Sequence, residues 1–458
     1  RRASRATTGL RRAAALGVIA PAARPPIEER LRQAGLPSLP RTAWLEIDQD
    51  ALAGNLRAVR ELVGPSVEVS AVVKADGYGH GLEVAARTFV AAGAGRLCVA
   101  TLDEAMALRR ASITAPVMIL FSIPAVEVPA AAAAGFELVV ADADAALGML
   151  AAWRQRAAAG GPDGDSLGLL IHLEVETGLT RAGIVLERVA DVARAMAATP
   201  QVRLAGIWSH LASAEDPHTS SEQERVLVAA ALALKEAGIP APPMHMAASG
   251  GLFAGSGRHH GMVRAGLCLY GELADDLPVT AAARRAASLL RPAMTLKARP
   301  LRILDVATGT AVGYGGRWRA ARPSRIATLP VGYGDGWIRG YQPGASALVE
   351  GRPVPLAGTI AMDALAVDVT DVPGVGMDSE FVLLGSQGEA RISATRLARR
   401  RTTIAWEVLV GMAHRLPRVY HSGGEVTGIR TVVGEVLVRK DPQVRAARRN
   451  QTEDPAPP

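Results

Sequence analysis

The stretch that most constrains this chain is Ala71–Gly81, which reads Ala-Val-Val-Lys-Ala-Asp-Gly-Tyr-Gly-His-Gly. An apolar, β-branched run leads directly into Lys74, three glycines follow at alternate positions, and an apolar helical pattern opens at Leu82. The pattern predicts a strand, a lysine at its end, a tight turn and a helix. Burial lowers the pKa of such a lysine, and a neutral amine is a nucleophile for aldehydes. Lys74 is therefore a candidate catalytic residue, although an arbitrary lysine at a strand end more often only reaches solvent.

Strand-like and helical runs alternate on both sides of this lysine. An eight-fold alternation predicts an α/β fold, a parallel (β/α)8 barrel of the TIM type whose chemistry lies at the carboxyl ends of the strands. The pattern also allows a doubly wound sheet. The predicted strands are the lysine strand, Leu97–Ala100, Val117–Phe121, Phe136–Val140, Leu167–Val175, Leu204–Ser209, Met244–Ala248 and Met262–Tyr270.

The residue pattern changes near Leu289, where helical periodicity is replaced by short β-type runs between Gly and Pro turns. This change predicts a second, C-terminal domain that is mainly β. We expect the barrel to occupy residues 41–288 and the β domain to occupy residues 289–437. Near the start, Leu45–Asp48 is predicted to be a short strand, with Asp48 capping the helix that follows.

The formal net charge of +7 raises the possibility of a nucleic-acid-binding protein, but its location argues against that class. Residues 1–41 hold nine arginines and two glutamates, so the remainder of the chain is neutral overall. We expect residues 1–40 to form a disordered basic leader and residues 438–458 a disordered tail. Two cysteines are too few for a disulfide framework, and no apolar run is long enough to span a membrane. A cytoplasmic protein with no membrane or nucleic-acid partner is the expectation.

Five further stretches combine glycine or small residues with histidine, arginine, serine or tyrosine. In the first of them, strand alternation places His172, Glu174 and Glu176 on one face, which we expect to line the barrel lumen. Taken singly, a histidine in an apolar strand is more often a core residue, and a tyrosine in a glycine turn is usually a surface aromatic. The stretches are His172–Gly183, Trp208–Ser213, His245–Gly250, Met262–Gly271 and Val312–Gly315.

Taken together and in this order, these stretches and Ala71–Gly81 resemble the alanine racemase family across roughly residues 42–422. The resemblance implies a pyridoxal 5′-phosphate enzyme that converts L-alanine to D-alanine for peptidoglycan synthesis. It implies that Lys74 carries the cofactor and that Arg181 and Met362 contact the substrate. The remaining cofactor contacts that it implies are Tyr78, Ser249, Gly266 and Leu267 at the phosphate, Arg264 at the pyridine nitrogen and His210 against the ring.

Racemisation requires a proton to leave one face of Cα and return on the other, so two bases are needed. By the resemblance, Lys74 serves the D-enantiomer, and Tyr314 serves the L-enantiomer from across a homodimer interface. Tyr333 would lie near the substrate entrance. An ordinary tyrosine pKa of about 10 is too high for an effective base at neutral pH, and a nearby His210–Arg264 pair would help to lower it. No metal is implied.

The chain departs from the family pattern at four positions. Glu174 stands where the family has a lysine that is usually carbamylated, and Ala248, Thr359 and Trp406 replace an asparagine, an arginine and a tyrosine. These differences leave open a racemase of another or broader set of amino acids. They also leave open a basic-amino-acid decarboxylase, a non-catalytic pyridoxal-phosphate-binding protein and an interaction protein on an inactive scaffold. An arginine facing the pyridine nitrogen counts against the decarboxylase.

Overall fold

The computed structural model describes residues 25–158, 168–240, 242–256 and 259–438. The described chain begins with the helix Ile27–Gln33 and strand β1 (Ala43–Asp48). The Asp48 carboxylate then accepts a hydrogen bond from the Ala51 amide at 2.9 Å and caps the helix Gln49–Val63. The predicted strand and its cap are confirmed.

Eight parallel strands follow and close into a barrel, in which each strand pairs with the next and the last pairs with the first. The predicted (β/α)8 barrel is confirmed. Most strand residues are buried, because neighbouring side chains fill one face and helices cover the other. The strands are β2 (Glu68–Val72), β3 (Arg96–Val99), β4 (Val117–Ile119), β5 (Phe136–Val140), β6 (Leu169–Glu174), β7 (Val202–Trp208), β8 (Met244–Ala248) and β9 (Met262–Ala265).

The helices after the barrel strands are of unequal length, and several are capped by the residue types that favour helix starts. Thr101 caps the helix after β3, and Asp216 caps the helix after β7. The helices are Leu82–Ala91, Leu102–Arg110, Val128–Ala133, Ala143–Ala158, Leu186–Ala197, Pro217–Glu236, Ser249–Ala254 and Arg284–Leu289. Within the described ranges no helix is both long and apolar enough to cross a membrane.

The C-terminal part is mainly β, as predicted, with two short helices, Ala394–Arg399 and Ala405–Val410. The strands are β10 (Met294–Ala298), β11 (Arg302–Val306), β12 (Ala311–Val312), β13 (Trp318–Arg319), β14 (Ser324–Leu329), β15 (Ser346–Val349), β16 (Arg352–Ala357), β17 (Leu365–Asp368), β18 (Phe381–Gln387), β19 (Ala390–Ile392), β20 (Arg418–Ser422), β21 (Glu425–Thr431) and β22 (Gly434–Leu437). The main sheet runs in the order β11-β14-β17-β16-β15-β18-β10-β1-β20-β21-β22, with β19 beside β18. Strands β12 and β13 form a separate hairpin.

Strand β1 corrects the predicted domain boundary. It lies between β10, with which it is antiparallel, and β20, with which it is parallel. It therefore belongs to the β-domain sheet, although it precedes the barrel in the chain, and the assignment of residues 41–48 to the barrel is wrong. Its pairing with strands about 250 and 370 residues away is long-range, which local sequence pattern does not encode.

The predicted disordered leader is also wrong in part, because residues 27–33 form a helix. Ile27 and Leu31 are buried against Trp44 and the β20–β21 hairpin, and Arg30 pairs with Glu46 at 3.3 Å. Burial alone would raise the pKa of Glu46, but Lys297, His421 and Arg30 lower it to about 2. Arginines and prolines around the two apolar residues obscured this short amphipathic pattern in the sequence. Residues 1–24, and residues 439–458 of the predicted tail, lie outside the described residues.

Candidate active site

A cavity of about 460 Å³ opens at the carboxyl ends of the barrel strands. Its size is that of a small-molecule site. The predicted site residues that line the cavity are Lys74, Tyr78, Arg181, His210, Ser249, Arg264, Gly266 and Leu267. The other two predicted site residues, Tyr314 and Met362, are not among the lining residues. Ala248 and Trp406, at which the chain departs from the family pattern, do line the cavity.

Lys74 lies two residues beyond the end of β2, at the start of a turn whose backbone is left-handed. Ala75 and Asp76 have φ values of 52° and 57°, which non-glycine residues seldom adopt. Burial lowers the pKa of Lys74, and the positive charge of Arg181 lowers it further. The centre of the Phe121 ring lies 5.8 Å from the Lys74 Nζ and 5.4 Å from the Arg181 guanidinium carbon. The lysine is thus held in an environment that favours its neutral amine.

One end of the cavity is rich in hydroxyl and amide groups. Burial raises the pKa of Tyr78, so its phenol stays a neutral donor, and its ring stacks on Tyr270 at 4.8 Å. The Ser249 hydroxyl accepts hydrogen bonds from the amides of Gly266 and Cys268 at 3.1 and 3.2 Å. A Cβ atom on Gly266 would come within 2.9 Å of the Tyr78 hydroxyl oxygen, so glycine keeps this end of the cavity open.

Arg264 projects from β9 and is only 3 % exposed, and the hydrogen-bond partners that the structure describes for it are neutral groups. It donates to His245 Nδ1 at 2.7 Å, to His210 Nδ1 at 3.2 Å and to the carbonyl of Ser209 at 2.8 Å. Its guanidinium also lies 4.4 Å over the Trp208 ring. Burial lowers the pKa of Arg264 to about 10, which leaves it cationic at neutral pH. A ring nitrogen beside this arginine would face a donor with a full positive charge.

Sequence analysis missed a chain of buried hydrogen bonds that begins at Arg264 and crosses the barrel lumen. His245 Nε2 lies 3.0 Å from His172 Nδ1, and His172 Nε2 lies 3.0 Å from Glu137 Oε2. Because arginine only donates and a carboxylate only accepts, both imidazoles must be neutral, each with its proton on Nε2. Burial lowers the pKa of both histidines, in agreement with this assignment. Arg96 closes the chain with an ion pair to Glu137 at 2.6 Å.

A signal for this chain was present in the sequence. Glu137 is the one charged residue of the apolar strand β5 (Phe136–Val140). Arg96 is the first residue of the apolar strand β3 (Arg96–Val99). Gly206 on β7 supplies the space, since a Cβ atom there would come within 2.2 Å of His172 Nδ1. Charged residues in apolar barrel strands, together with a histidine opposite a glycine on the neighbouring strand, indicate such a buried network.

Arg181 and Glu174 form an ion pair, with Arg181 Nη2 3.3 Å from Glu174 Oε1. Glu174 thus places a carboxylate beside Arg181, at the position where the family has a lysine that is usually carbamylated. Burial raises the pKa of Glu174, and the charge of Arg181 opposes that rise. Glu176 does not line the lumen as predicted: β6 ends at Glu174, and the Glu176 carboxylate instead accepts hydrogen bonds from the amides of Gly178 and Thr180. Strand alternation fails there because the chain has already entered the turn that carries Arg181.

Tyr314, Tyr333, Thr359 and Met362 form a cluster of exposed loops on the β domain, which we term the loop cluster. Tyr314 is 76 % exposed and Met362 is 52 % exposed. The Thr359 hydroxyl donates to the Tyr314 carbonyl at 3.2 Å, and the Tyr333 amide donates to the carbonyl of Ala361 at 3.0 Å, next to Met362. Hydrogen bonds thus join these loops in pairs, and the four residues are not among those that line the cavity.

The residues of the cavity fit pyridoxal 5′-phosphate. Hydroxyls and amides around the space beside Gly266 suit a phosphate, which is recognised by such donors. The Arg264 guanidinium, deeper in the lumen, suits a ring nitrogen that accepts a hydrogen bond, and the Lys74 amine suits an aldehyde. These groups converge on one cavity, so a single molecule with all three functions can contact them together.

Comparison with protein-family models gives two adjoining matches. Residues 47–274 match the alanine racemase N-terminal domain, and residues 293–420 match the alanine racemase C-terminal domain. The alanine racemase of Synechocystis sp. is 35 % identical over 395 residues, covering 82 % of this chain and 98 % of that protein. The alanine racemase of Desulfovibrio desulfuricans is 36 % identical over 388 residues, covering 84 % of this chain and 99 % of that protein.

Solved structures give the same family. The crystal structure of alanine racemase from Bacillus anthracis with bound L-Ala-P has a TM-score of 0.77 and 30 % sequence identity, covering 87 % of this chain and 99 % of that one. The alanine racemase of a D-cycloserine-producing Streptomyces lavendulae has a TM-score of 0.74 and 32 % identity, covering 84 % and 98 %. The similarity therefore spans both the barrel and the β domain.

Proposed function

The chain belongs to the alanine racemase family, and we propose that it interconverts L- and D-alanine on pyridoxal phosphate with Lys74 and Tyr314 as its two bases. The D-alanine would supply peptidoglycan synthesis. The observation that carries the assignment of residues is the single cavity in which Lys74, Arg264, Arg181 and the phosphate-suited groups converge.

Pyridoxal phosphate, when bound, supplies an electron-withdrawing ring that makes the Cα proton of an attached amino acid acidic. Lys74 holds the cofactor and, once its amine is free, accepts or returns the Cα proton on one face. Its lowered pKa suits this role, because a general base works best when its pKa is near the operating pH. Burial and the positive charge of Arg181 both favour the neutral amine.

Two arginines orient the reacting molecule. Arg181 binds the substrate carboxylate, for which a planar guanidinium is suited, and Glu174 fixes the orientation of that guanidinium. Arg264 donates toward the ring nitrogen and keeps it unprotonated, because it is a cation and the groups to which it donates in the described structure are neutral. Weaker electron withdrawal then limits side reactions such as transamination.

Tyr314 acts on the opposite face of Cα and is contributed by a second copy of this chain. The support for this assignment is its exposure in the loop cluster, outside the cavity formed by its own barrel. His210 lies at the cavity with its Nδ1 accepting from Arg264, so a neutral His210 carries its proton on Nε2 and can donate it toward an incoming phenolate. That donation would stabilise the tyrosine in the form that accepts a proton, because a phenolate is a strong hydrogen-bond acceptor.

The reaction is tested with purified protein loaded with pyridoxal phosphate. The expected result is a visible absorption band of lysine-bound cofactor and loss of optical rotation of L-alanine, both abolished in Lys74→Ala. A panel of amino acids in the same assay identifies the preferred substrate, since Ala248 and Trp406 give the cavity a lining that departs from the family pattern. A band without racemisation of any amino acid would indicate a cofactor-binding protein instead.

The shared site is tested by mixing two inactive variants. In a dimer with one Lys74→Ala and one Tyr314→Phe subunit, one of the two sites regains both bases. Random exchange at equal amounts should restore roughly a quarter of the wild-type activity. If no activity returns although subunit exchange is demonstrated, both bases come from one chain and the proposal of shared sites is wrong.

A further inference from the structure

The turn that carries Lys74 adopts a backbone conformation that needs external support. Ala75, Asp76 and Tyr78 have φ values of 52°, 57° and 51°, all in the left-handed region. That region is unfavourable for residues with a side chain, because Cβ crowds the neighbouring carbonyl oxygen. Such conformations persist only where the surrounding structure fixes them. The contacts that fix this turn therefore decide where the lysine lies.

The second half of the turn is held from the β domain. The Asp76 carboxylate accepts two hydrogen bonds from the Arg430 guanidinium, at 2.7 and 2.5 Å. It also accepts the amide of Leu82, which begins the following helix, at 2.9 Å. These contacts act on Asp76 and do not reach the amide of Ala75, the first one after Lys74.

Glu104 holds that amide. Its Oε1 accepts a hydrogen bond from the Ala75 N–H at 2.7 Å, and its Oε2 accepts one from the Ala100 N–H at 2.8 Å. Ala75 follows the end of β2, and Ala100 follows the end of β3. One carboxylate from the helix Leu102–Arg110 thus joins the ends of two adjacent barrel strands at the point where the lysine emerges.

Capping of its own helix is the ordinary role for a glutamate at this position. Glu104 does belong to a capping box with Thr101, but those two hydrogen bonds are long, at 3.4 and 3.5 Å. The contacts to Ala75 and Ala100 are shorter by more than half an ångström. By these distances, the hydrogen bonds of the Glu104 carboxylate to the strand ends are stronger than those of the capping box.

We propose that Glu104 is a positioning residue for the racemase reaction, which holds Lys74 at the cavity through the amide of Ala75. The inference rests on the proposed role of Lys74 as the lysine that carries the cofactor. Glu104 acts through the backbone and fixes the direction in which the lysine side chain leaves β2. It also adds a negative charge near Lys74, which is otherwise faced by Arg181, Arg264, the Phe121 ring and the Cys98 thiol.

Glu104→Gln tests the proposal with little change of shape. A side-chain amide has one acceptor oxygen, so its NH₂ group would face one of the two backbone N–H donors. We expect kcat for alanine to fall about ten- to a hundred-fold in both directions, as for loss of a hydrogen bond to a charged group. KM should change much less, because the substrate carboxylate binds Arg181. The pH midpoint of the visible band should move to lower pH, because a negative charge that favours the protonated nitrogen is lost.

Thr101→Ala is the matched control, because it removes the capping hydroxyl and leaves both short contacts of Glu104 in place. It should retain the wild-type kcat and pH midpoint. Equal losses in Thr101→Ala and Glu104→Gln would mean that Glu104 serves only its helix and would overturn the proposal. Glu104→Asp provides a second variant if Glu104→Gln does not fold. It keeps the charge but is one methylene too short to reach both amides, so kcat should fall again while the pH midpoint changes less.

The wild-type spectrum separates failure of this inference from failure of the proposed function. A visible band that survives Lys74→Ala would contradict the role of Lys74 itself. A band that depends on Lys74, together with wild-type kcat and pH midpoint in Glu104→Gln and Glu104→Asp, would contradict only the role of Glu104.

Discussion

The cavity at the barrel mouth and the loop cluster of the β domain carry the two proposed bases in opposite environments. Lys74 is partly buried, its turn is fixed by Glu104 and Asp76, and burial lowers its pKa. Tyr314 is 76 % exposed on a glycine-flanked turn whose carbonyl is held by Thr359. The barrel therefore tunes its base within one chain, whereas the β domain only presents a tyrosine at its surface. The contrast supports the proposal that a second copy of the chain supplies the environment of Tyr314.

The largest effect that should distinguish the two regions is that of Tyr314→Phe. Loss of one of two bases should lower L-to-D racemisation by about 10²- to 10⁴-fold, the usual contribution of a general base. Exchange of the α-hydrogen of D-alanine should suffer far less, because Lys74 serves that enantiomer. Deuterium incorporation from each enantiomer measures the difference. Equal losses for both enantiomers would contradict the assignment of Tyr314 to one face.

Glu174→Gln should have a smaller effect on racemisation. It tests whether the ion pair with Arg181 matters on the barrel side of the comparison. The ion pair with Arg181 is buried on the glutamate side, and losing a charged partner should lower kcat/KM for alanine by about ten- to a hundred-fold. Glutamate supplies a carboxylate without carbamylation, so wild-type activity should not change when bicarbonate is depleted. Steady-state kinetics with and without bicarbonate measure both outcomes. A variant as active as the wild type would mean that Glu174 does not orient Arg181.

Acid should lower the free energy of unfolding through the buried side chain of His80. Burial lowers the pKa of His80 from 6.5 to about 4, so the unfolded chain binds a proton that the folded chain does not. The free energy of unfolding should therefore fall as the pH drops below about 6.5, by roughly 3 kcal/mol from this group when the pH reaches about 4. Denaturant unfolding across this range measures the slope. His80→Asn should flatten it, whereas His218→Asn, at an exposed histidine, should not.

A change remote from both regions should leave turnover unaltered. Leu31 is fully buried between the N-terminal helix and the β20–β21 hairpin, so Leu31→Ala should lower the free energy of unfolding by about 2–5 kcal/mol. Kinetics at a temperature where the variant is folded should show the wild-type kcat. Gln33→Ala, at an exposed position of the same helix, is the control and should change neither quantity. If Leu31→Ala changes kcat while folded, the helix contributes to the site.

Local sequence determined the barrel, the lysine turn and much of the cavity. Apolar strand-like runs that alternate with helical patterns indicated the eight strands, and Gly77, Gly79 and Gly81 all adopt the positive φ that the predicted turn requires. Asp48 caps its helix as its sequence position predicts. These features depend on residues close together in the chain, so their physical causes can be seen in the sequence itself.

Tertiary structure alone decided the contacts between distant segments. The sequence predicted neither that β1 joins the β-domain sheet nor that residues 27–33 fold onto it, because both depend on pairing partners hundreds of residues away. Glu104 shows the same limit: its sequence position predicts a helix cap, and only the barrel brings its carboxylate to the amide of Ala75. Hydrogen-bond partners across strands are chosen by the closed geometry of the barrel, which no short stretch of sequence contains.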